Sequence, residues 1–459
     1  MLMTFKEAGA LAGLELIHKN EQSRGFEAVC VDSRLAGPGA LFVALDGEKH
    51  DGHKFVKAAL KAGAAGAIVE KTKLSTLGLD ETTTYTLLAA DNTLHALQEL
   101  AAAYLEQFPK LLRIAITGSS GKTTTKELAA AMIGLERNVT FNKGNLNSDI
   151  GLPLSVFQVR KEHDVGIFEM GMNRKGEIAE LAAVLKPHIA LITNTSAAHI
   201  GLIGGEREIA LEKKAAFSHF TGKEHAILPE NSAFAELLAD NIKGTISYFG
   251  KKAAKKFGGA ESKGLRGSTI TWENKTTNFA LPGEYNLMNA LAAAALAEAA
   301  GVSGTAIRDG LAAAKALFGR GEVIEGDITI VRDCYNANPD SMEKAITLCD
   351  EAASGRRRVY VIGPMLELGR AAKTAHEKLG ERLARSKADI IFLFGEETKD
   401  AYKKLQDAKN KLTFHTNDID ELKSKVNDSV KKDDVLLLKG SRASALERIM
   451  PAAANVKTA

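Results

Sequence analysis

Short apolar runs alternate with longer stretches of helical periodicity along most of the chain. Near the N-terminus the runs are Ala28–Asp32, Ala40–Leu45 and Gly66–Val69, with a helical pattern over Phe55–Ala62. Further on, Leu112–Thr117, Val165–Met170 and Ile189–Thr193 read as strands, and an alanine-rich helix is expected over Asn289–Ala300. A last series comprises Ile328–Asp333, Arg358–Ile362, Ile390–Phe394 and Val435–Leu438. Helical patterns separate these, such as Ala375–Arg385 with Leu379 and Leu383 facing inward. Strands that alternate with helices predict parallel, doubly wound sheets. At the start, Thr4-Phe5-Lys6-Glu7 reads as a capping box opening a helix with Leu11 and Leu14 on its apolar face.

The chain has 459 residues, too many for one core, and Pro- or Gly-marked transitions near Pro109 and Gly319 divide it in three. Hydrophobic residues make up 45% and charged residues 25%, ordinary for a globular protein. The net charge of +3 is too balanced to suggest a nucleic-acid partner by itself, and the lysines around 251–256 and 403–411 read as solvated faces. Cys30, Cys334 and Cys349 are too few and too scattered for a disulfide framework or a zinc site, which points to the reducing cytoplasm. No apolar run approaches the roughly 20 residues of a membrane span, and no secretory signal opens the chain.

The main chemical signal is Gly118-Ser119-Ser120-Gly121-Lys122-Thr123-Thr124, placed between a strand and a strong helix former. Such a turn aims backbone N–H groups and a helix N-terminus at one point, where a lysine adds a full charge. Lys122 suits the β- and γ-phosphates of ATP, and the Thr123 hydroxyl suits Mg²⁺. The usual G-x-x-x-x-G-K-[ST] spacing requires glycine at position 116, which is Ile116 here, so only the shorter G-x-x-G-K-T-T remains. Glu169, at the end of the apolar run "VGIFEMG", is a candidate Mg²⁺ carboxylate. His199 follows another such run, and its spacing leaves open a structural histidine or a ligand. "FNKGN" lacks the aspartate of a guanine-binding N-K-x-D, since Asn145 stands there.

Further stretches are "NKGNLNSDIGLPLS", "EMGMNRKGEI", "NTSAAHIG", "LPGEYNLMNALAAAA", "DCYNANPDSM", "MLELG" and "LLKGSRASALE". Together with the GKTT loop and "DSR…LFVAL" in the N-terminal part, they resemble the Mur ligase family of cell-wall enzymes over the whole chain. The resemblance implies an α/β fold in three domains. These are a small N-terminal α/β substrate domain (1–108), a central doubly wound P-loop ATPase domain (109–317) and a C-terminal Rossmann-like α/β ligase domain (318–459). It also implies an ATP-dependent ligase joining UDP-N-acetylmuramoyl-tripeptide to D-alanyl-D-alanine through an acyl phosphate, with Mg²⁺ as cofactor and a monomeric protein. "YNANPDSM" and "MLELG" favour this over a sister ligase that adds a single amino acid.

The resemblance also carries roles. Thr123, Glu169 and His199 match Mg²⁺ contacts, and Lys213 in "IALEKKAAF" falls where these ligases carry a carbamylated lysine, though Lys214 beside it blurs the assignment. Lys122, Glu169, His199 and Lys213 form the expected catalytic set. The nucleotide is expected to meet Gly118, Ser119, Ser120, Gly121, Lys122, Thr123 and Thr124, with Asn286 and Asn289 on the adenine side and Arg320 and Asp333 from the C-terminal part. Tyr285 stands where the family usually has histidine, and Pro364 where it often has aspartate. Ser33, Arg34 and the "DGEKHDGH" loop match the uridine-diphosphate end of the substrate. Asn145, Asn147 and Ser148 match the muramoyl-peptide, and Tyr335, Asn336 and Asn338 bridge nucleotide and dipeptide. Lys439, Ser441 and Arg442 are explained about as well by a turn as by an anion contact.

Overall fold

The computed structural model describes residues 1–11, 13–20, 24–47, 50–79, 85–196, 200–353, 355–406 and 411–450, with only the backbone at 200 and 202. Glu48, Lys49 and His199 lie outside the described residues. The chain forms two compact units. One comprises Met1–Ala115, Asn138–Met172 and Glu177–His188, the other Ile116–Arg137, Asn173–Gly176 and Ile189–Ala459.

The first unit begins with a sheet of β1 (Leu14–His18), β2 (Ala28–Cys30), β3 (Ala40–Val43), β4 (Gly66–Glu70) and β5 (Thr86–Ala90), in the order β1-β5-β4-β3-β2. Only β1 is antiparallel. Strands β3, β4 and β5 are almost continuously apolar because both their faces are covered, the usual condition for parallel strands. One face packs Phe42, Ala67, Val69 and Leu87 against Val56 and Ala59 of a short helix. The expected capping box is present, Thr4 and Glu7 capping each other, but the helix stops at Gly9. The chain turns at Gly13, where φ is +84°, and Leu14 opens β1 instead of extending a helical face. Helix α1 (Thr93–Glu106) follows, capped by the Asn92 side chain, which accepts from the His95 N–H at 2.9 Å.

A second sheet holds β6 (Leu112–Thr117), β7 (Val139–Phe141), β8 (Val165–Glu169), β9 (Ile189–Ile192), β10 (His225–Pro229) and β11 (Thr245–Phe249), in the order β11-β10-β9-β6-β8-β7. The pairs β7–β8, β9–β10 and β10–β11 are parallel. The strand order reverses at β6, and in open α/β sheets ligands bind beyond the strand ends at such a switch point.

In the second unit an antiparallel meander of β12 (Phe257–Ser262), β13 (Ser268–Trp272) and β14 (Lys275–Phe279) was not foreseen from the sequence. Its residues are mostly polar, and the Glu273-Asn274 turn takes positive φ at both positions, as tight hairpins do. Helices α2 (Lys122–Ile133), α3 (Glu206–Lys214), α4 (Glu284–Ala299) and α5 (Gly304–Ala312) belong to this unit, and α4 and α5 pack on α2. Alanines let α4 be buried nearly all round.

The last sheet comprises β15 (Glu322–Ile324), β16 (Thr329–Asp333), β17 (Arg358–Ile362), β18 (Ile390–Phe394), β19 (Leu412–Thr416) and β20 (Val435–Lys439), in the order β15-β16-β20-β17-β18-β19. All pairs are parallel except β15–β16. Its strands feed two cores alternately. Val331, Tyr360, Ile362, Val435 and Leu437 join one, and Ile330, Val359, Val361, Leu436 and Leu438 the other. Helix α6 (Pro339–Ala352) follows β16 and lies on the first of these faces.

Candidate active site

The candidate phosphate loop is the short turn from Thr117 at the end of β6 to Lys122 at the start of α2. Ile116, at the position where the longer loop pattern wants glycine, is a fully buried residue of the strand, so the turn begins two residues later. Both glycines of the turn are sterically required. Gly121 has φ +80°, and a Cβ there would lie 2.2 Å from Asn289 Oδ1. A Cβ on Gly118 would lie 1.8 Å from Thr193 Oγ1.

Asn194, just beyond β9, organises this turn and was not singled out from the sequence. Its backbone carbonyl accepts from the Ser119 N–H at 3.1 Å, and its Oδ1 from the Ser120 N–H at 3.2 Å. Its Nδ2 donates to the Ser120 carbonyl at 3.0 Å and to the Ser120 hydroxyl at 3.1 Å. Thr193 Oγ1 also donates to the Ser120 carbonyl at 2.7 Å, and Ser119 Oγ to the Ser196 carbonyl at 2.5 Å. Lys122 folds back and donates to the Gly118 carbonyl at 2.8 Å, while Thr123 is buried at the first turn of α2. Asn286 and Asn289 are buried on α4, and Asn289 donates to Asn286 Oδ1 at 3.4 Å.

Lys213, on α3, is only 1% exposed. Burial, reinforced by the charge of Lys122, holds its ammonium pKa well below the ordinary lysine value. Lys214 beside it is partly exposed, with Asp240 Oδ2 3.9 Å away. The two lysines therefore differ in environment, and Lys213 is the one whose neutral amine is favoured.

Glu169 ends β8 in the first unit and is 2% exposed. Two asparagines hold it. Asn142 Oδ1 accepts from the Glu169 N–H at 2.9 Å, and Asn142 Nδ2 donates to the Glu169 carbonyl at 3.0 Å. This side chain prolongs the β7–β8 ladder one step past Phe141, a role the sequence reading missed. Asn147 Nδ2 donates to Glu169 Oε1 at 2.6 Å and so orients the carboxylate. Ser148 Oγ accepts from the Gly151 N–H at 3.1 Å, and Asn145 is exposed. Glu169 in the first unit and Thr123 in the second each offer a hard oxygen donor of the kind Mg²⁺ prefers. Among the described residues no cluster of three His, Cys, Asp or Glu forms a metal cage. Mg²⁺ in general takes few protein ligands and completes its shell with phosphate oxygens and water.

In the C-terminal part of the second unit, the Arg320 guanidinium stacks 4.2 Å above the Tyr335 ring. Asp333 pairs at 3.1 Å with Lys439, which is buried and also donates to the Asn336 carbonyl at 2.5 Å. Asn338 caps α6, its Oδ1 accepting from the Ser341 N–H at 2.8 Å. Ser441 is committed to the turn after β17. Its N–H donates to the Pro364 carbonyl at 2.9 Å, and its Oγ accepts from the Leu366 N–H at 3.0 Å. Arg442 pairs with Glu447. Of the alternatives left open for "KGSR", Lys439 and Ser441 thus have inward partners. The Tyr285 hydroxyl is buried and finds no partner among the described residues, and burial raises its pKa well above that of an ordinary tyrosine, with Asp333 adding to the effect.

In the first unit, Arg34 makes a two-pronged pair with Asp32, its Nε donating to Oδ1 at 2.9 Å, and it is otherwise exposed beside Ser33. Arg34 holds the Asp32 carboxyl down at about 2. His53 is buried, with Nδ1 2.7 Å from Asp51 Oδ1 and Nε2 accepting from the Glu70 N–H at 2.9 Å. Lys73 also donates to Asp51 at 2.9 Å and is the main cause of that carboxyl's lowered pKa. The Asp51–His53 end of the "DGEKHDGH" loop is therefore stapled to β4 and the turn after it.

Three family models match the chain in order. They are the Mur ligase family catalytic domain over 26–105, the Mur ligase middle domain over 116–297 and the Mur ligase glutamate ligase domain over 319–442. The UDP-N-acetylmuramoyl-tripeptide–D-alanyl-D-alanine ligase of Treponema pallidum is 39% identical, the alignment covering 98% of this chain and 99% of the relative. The Escherichia coli ligase of the same name is 34% identical over 93% of each. The crystal structure of MurF from Acinetobacter baumannii superposes with a TM-score of 0.86 at 30% identity, covering 97% of each chain. MurF ligase of Thermotoga maritima in complex with ADP gives 0.79 at 26% identity, covering 92% of this chain and 96% of that one. With all three family models matched in order and relatives aligned over nearly its whole length, the chain belongs to the Mur ligase family.

Proposed function

We infer that this ligase joins D-alanyl-D-alanine to UDP-N-acetylmuramoyl-tripeptide, using ATP and giving UDP-N-acetylmuramoyl-pentapeptide, ADP and phosphate. The observation that carries this reading is the glycine turn between β6 and α2, in a chain that aligns over nearly its whole length with ligases of that name. A carboxylate resists amine attack because oxide is a poor leaving group. Transfer of the γ-phosphoryl group to the tripeptide carboxylate replaces it with phosphate. The dipeptide amine then attacks the acyl phosphate, the tetrahedral intermediate expels phosphate, and the amide forms.

The chain's own residues act by position and charge. Lys122 leaves the Gly118 carbonyl to meet the transferring phosphoryl group. Asn194 and Thr193 keep the turn rigid, and Arg320, Asp333 and Tyr335 close on the nucleotide from the C-terminal side. Thr123 and the Asn147-oriented Glu169 are suited to hold Mg²⁺, with His199 completing the set. When bound, the ion neutralises charge that keeps two anions apart. Lys213 suits carbamylation, since the neutral amine that attacks CO₂ is the form its burial favours. Ser33 and Arg34 serve the uridine-diphosphate end in segment 1–108, while 109–317 takes ATP and 318–459 receives the dipeptide. The three cysteines are free and buried, in keeping with the reducing cytoplasm as the place of work of a monomeric enzyme. No described helix is long and apolar enough to cross a membrane.

The test is phosphate release from ATP with UDP-N-acetylmuramoyl-tripeptide, with and without D-alanyl-D-alanine, and the mass of the product. Dipeptide-dependent release with a UDP-pentapeptide product is expected. Release with a single amino acid instead, giving a shorter product, would move the chain to a sister ligase.

A further inference from the structure

We propose that Asp340, the second residue of α6, is a positioning residue that seats the loop from Asp333 to Asn338 on the phosphate loop through the Ser120 hydroxyl. The proposal rests on the assignment of 118–123 as the phosphate site. Ser120 is held from several sides. Its N–H donates to Asn194 Oδ1, and its carbonyl accepts from both Thr193 and Asn194, so its hydroxyl has a fixed place. From that place it donates to Asp340 Oδ2 at 3.2 Å, joining chain positions 220 residues apart. The same oxygen accepts from Lys344 Nζ at 2.6 Å, one helical turn on.

The surroundings suit a carboxylate that lies close to a triphosphate site. The first turn of a helix favours negative charge, and Lys344 pairs with the carboxylate at 2.6 Å. Asp340 can thus hold Ser120 without repelling the nucleotide. The mutual cap of Asn338 and Ser341 and the ring of Pro339 fix the start of α6. A helix start anchored at Asp340 therefore sets where Asn338, Asn336, Tyr335 and Asp333 stand relative to the phosphates.

A second contact joins the same two parts of this unit. The short helix Ile200–Ile203 meets the turn Gly369–Ala371 backbone to backbone. A Cβ on Gly201 would lie 2.3 Å from the Gly369 N, and one on Gly369 2.7 Å from the Gly201 Cα, with Gly369 at φ +52°. This gives "MLELG" a physical task, since only glycine on both sides allows the approach. The seat is thus a hydrogen bond at one point and a bare backbone contact at another.

The experiment is a double-mutant cycle in the full-length enzyme with ATP, UDP-N-acetylmuramoyl-tripeptide and D-alanyl-D-alanine. Ser120→Ala and Asp340→Ala are each expected to lower kcat about 10-fold, the scale of a hydrogen bond to a charged group. The KM for the UDP substrate should not change. The double variant should be no slower than the slower single one, Asp340→Asn should retain most of the rate by keeping an acceptor, and Gly201→Ala should lower kcat in the same way. Multiplying single effects, or a normal kcat in Ser120→Ala, would overturn the proposal. So would an Asp340→Ala protein altered only in melting temperature. Absence of any dipeptide-dependent turnover in the unmodified enzyme would instead refute the functional reading.

Discussion

Gly121→Ala tests the phosphate loop most directly, because its cost divides into two parts that can be measured separately. The first part is conformational. Gly121 sits at φ +80°, and an L-residue held there costs about 1–2 kcal/mol. The second is steric. The new methyl would lie 2.2 Å from Asn289 Oδ1, where ordinary contact begins at 3.4 Å, so Asn289 has to retreat from Asn286. Losing that hydrogen bond costs about 1 kcal/mol. If the loop keeps its shape, the sum of about 2–3 kcal/mol appears as lost stability. If it relaxes, the same sum appears as lost nucleotide affinity, roughly 30- to 150-fold. Calorimetric titration with ADP and Mg²⁺, alongside melting of the free protein, reads both. Adding Asn289→Ala removes the steric part but not the conformational one. Gly121→Ala/Asn289→Ala should therefore bind ADP more tightly than Gly121→Ala once the effect of Asn289→Ala alone is subtracted. Undiminished ADP affinity and stability in Gly121→Ala would refute the reasoning, and a double variant no better than the single would show that Asn289 is not the obstacle.

Other outcomes follow from the same geometry. Asn147→Ala removes the 2.6 Å donor to Glu169, so the Mg²⁺ concentration for half-maximal turnover should rise about 10-fold, and the Mn²⁺ affinity of the ADP complex, followed by electron paramagnetic resonance, should fall with it. Lys213→Met should abolish turnover and also change the pH dependence of stability. Because the folded pKa of Lys213 lies below the unfolded value of 10.5, the unfolded chain binds more protons, and Lys213 makes stability rise with pH between the folded pKa and 10.5. Denaturant midpoints at several pH values should show that contribution in the wild type and lose it in Lys213→Met. Lys439→Met strands Asp333 without its ion pair, so the ATP KM should rise and the unfolding midpoint fall, whereas a variant with an unchanged ATP KM would mean that Asp333 does not need this partner.

The sequence made legible those features whose physics is local. The β6–turn–α2 junction, the apolar strands of the last sheet and the capping box at Thr4 could all be read directly, because each is set by neighbouring residues. Leu14 was misread because an apolar residue at helical spacing is equally suited to a strand, and Gly13 decides between them by turning the chain. The β12–β14 meander has too few apolar positions to show a period. The site divided in the same way. Lys122 stands out as a candidate by its charge after a glycine turn at a helix start, and Glu169 by its charge at the end of an apolar strand. Asn142 and Asn194 are polar residues after a strand, and nothing in their neighbours shows that one reaches across to β8 and the other to the phosphate loop.

Asn194 also explains why so short a phosphate loop suffices. A longer loop supplies glycines whose own backbone wraps the phosphates. Here Ile116 remains in the core of the sheet, and the turn has only Gly118 to Gly121 in which to reverse. Its rigidity has to come from outside. An amide side chain can do this because it carries a donor and an acceptor on one plane, like a peptide group. Asn194 uses both on Ser120, and Asn142 uses both on the peptide groups of Glu169. Aspartate at either position would lack the donor, and serine would lack the reach. Asn194→Asp and Asn142→Asp should therefore cost more activity than their small change in shape suggests. The loss should persist at saturating ATP, since the defect lies in the alignment of the bound phosphate and not in its charge.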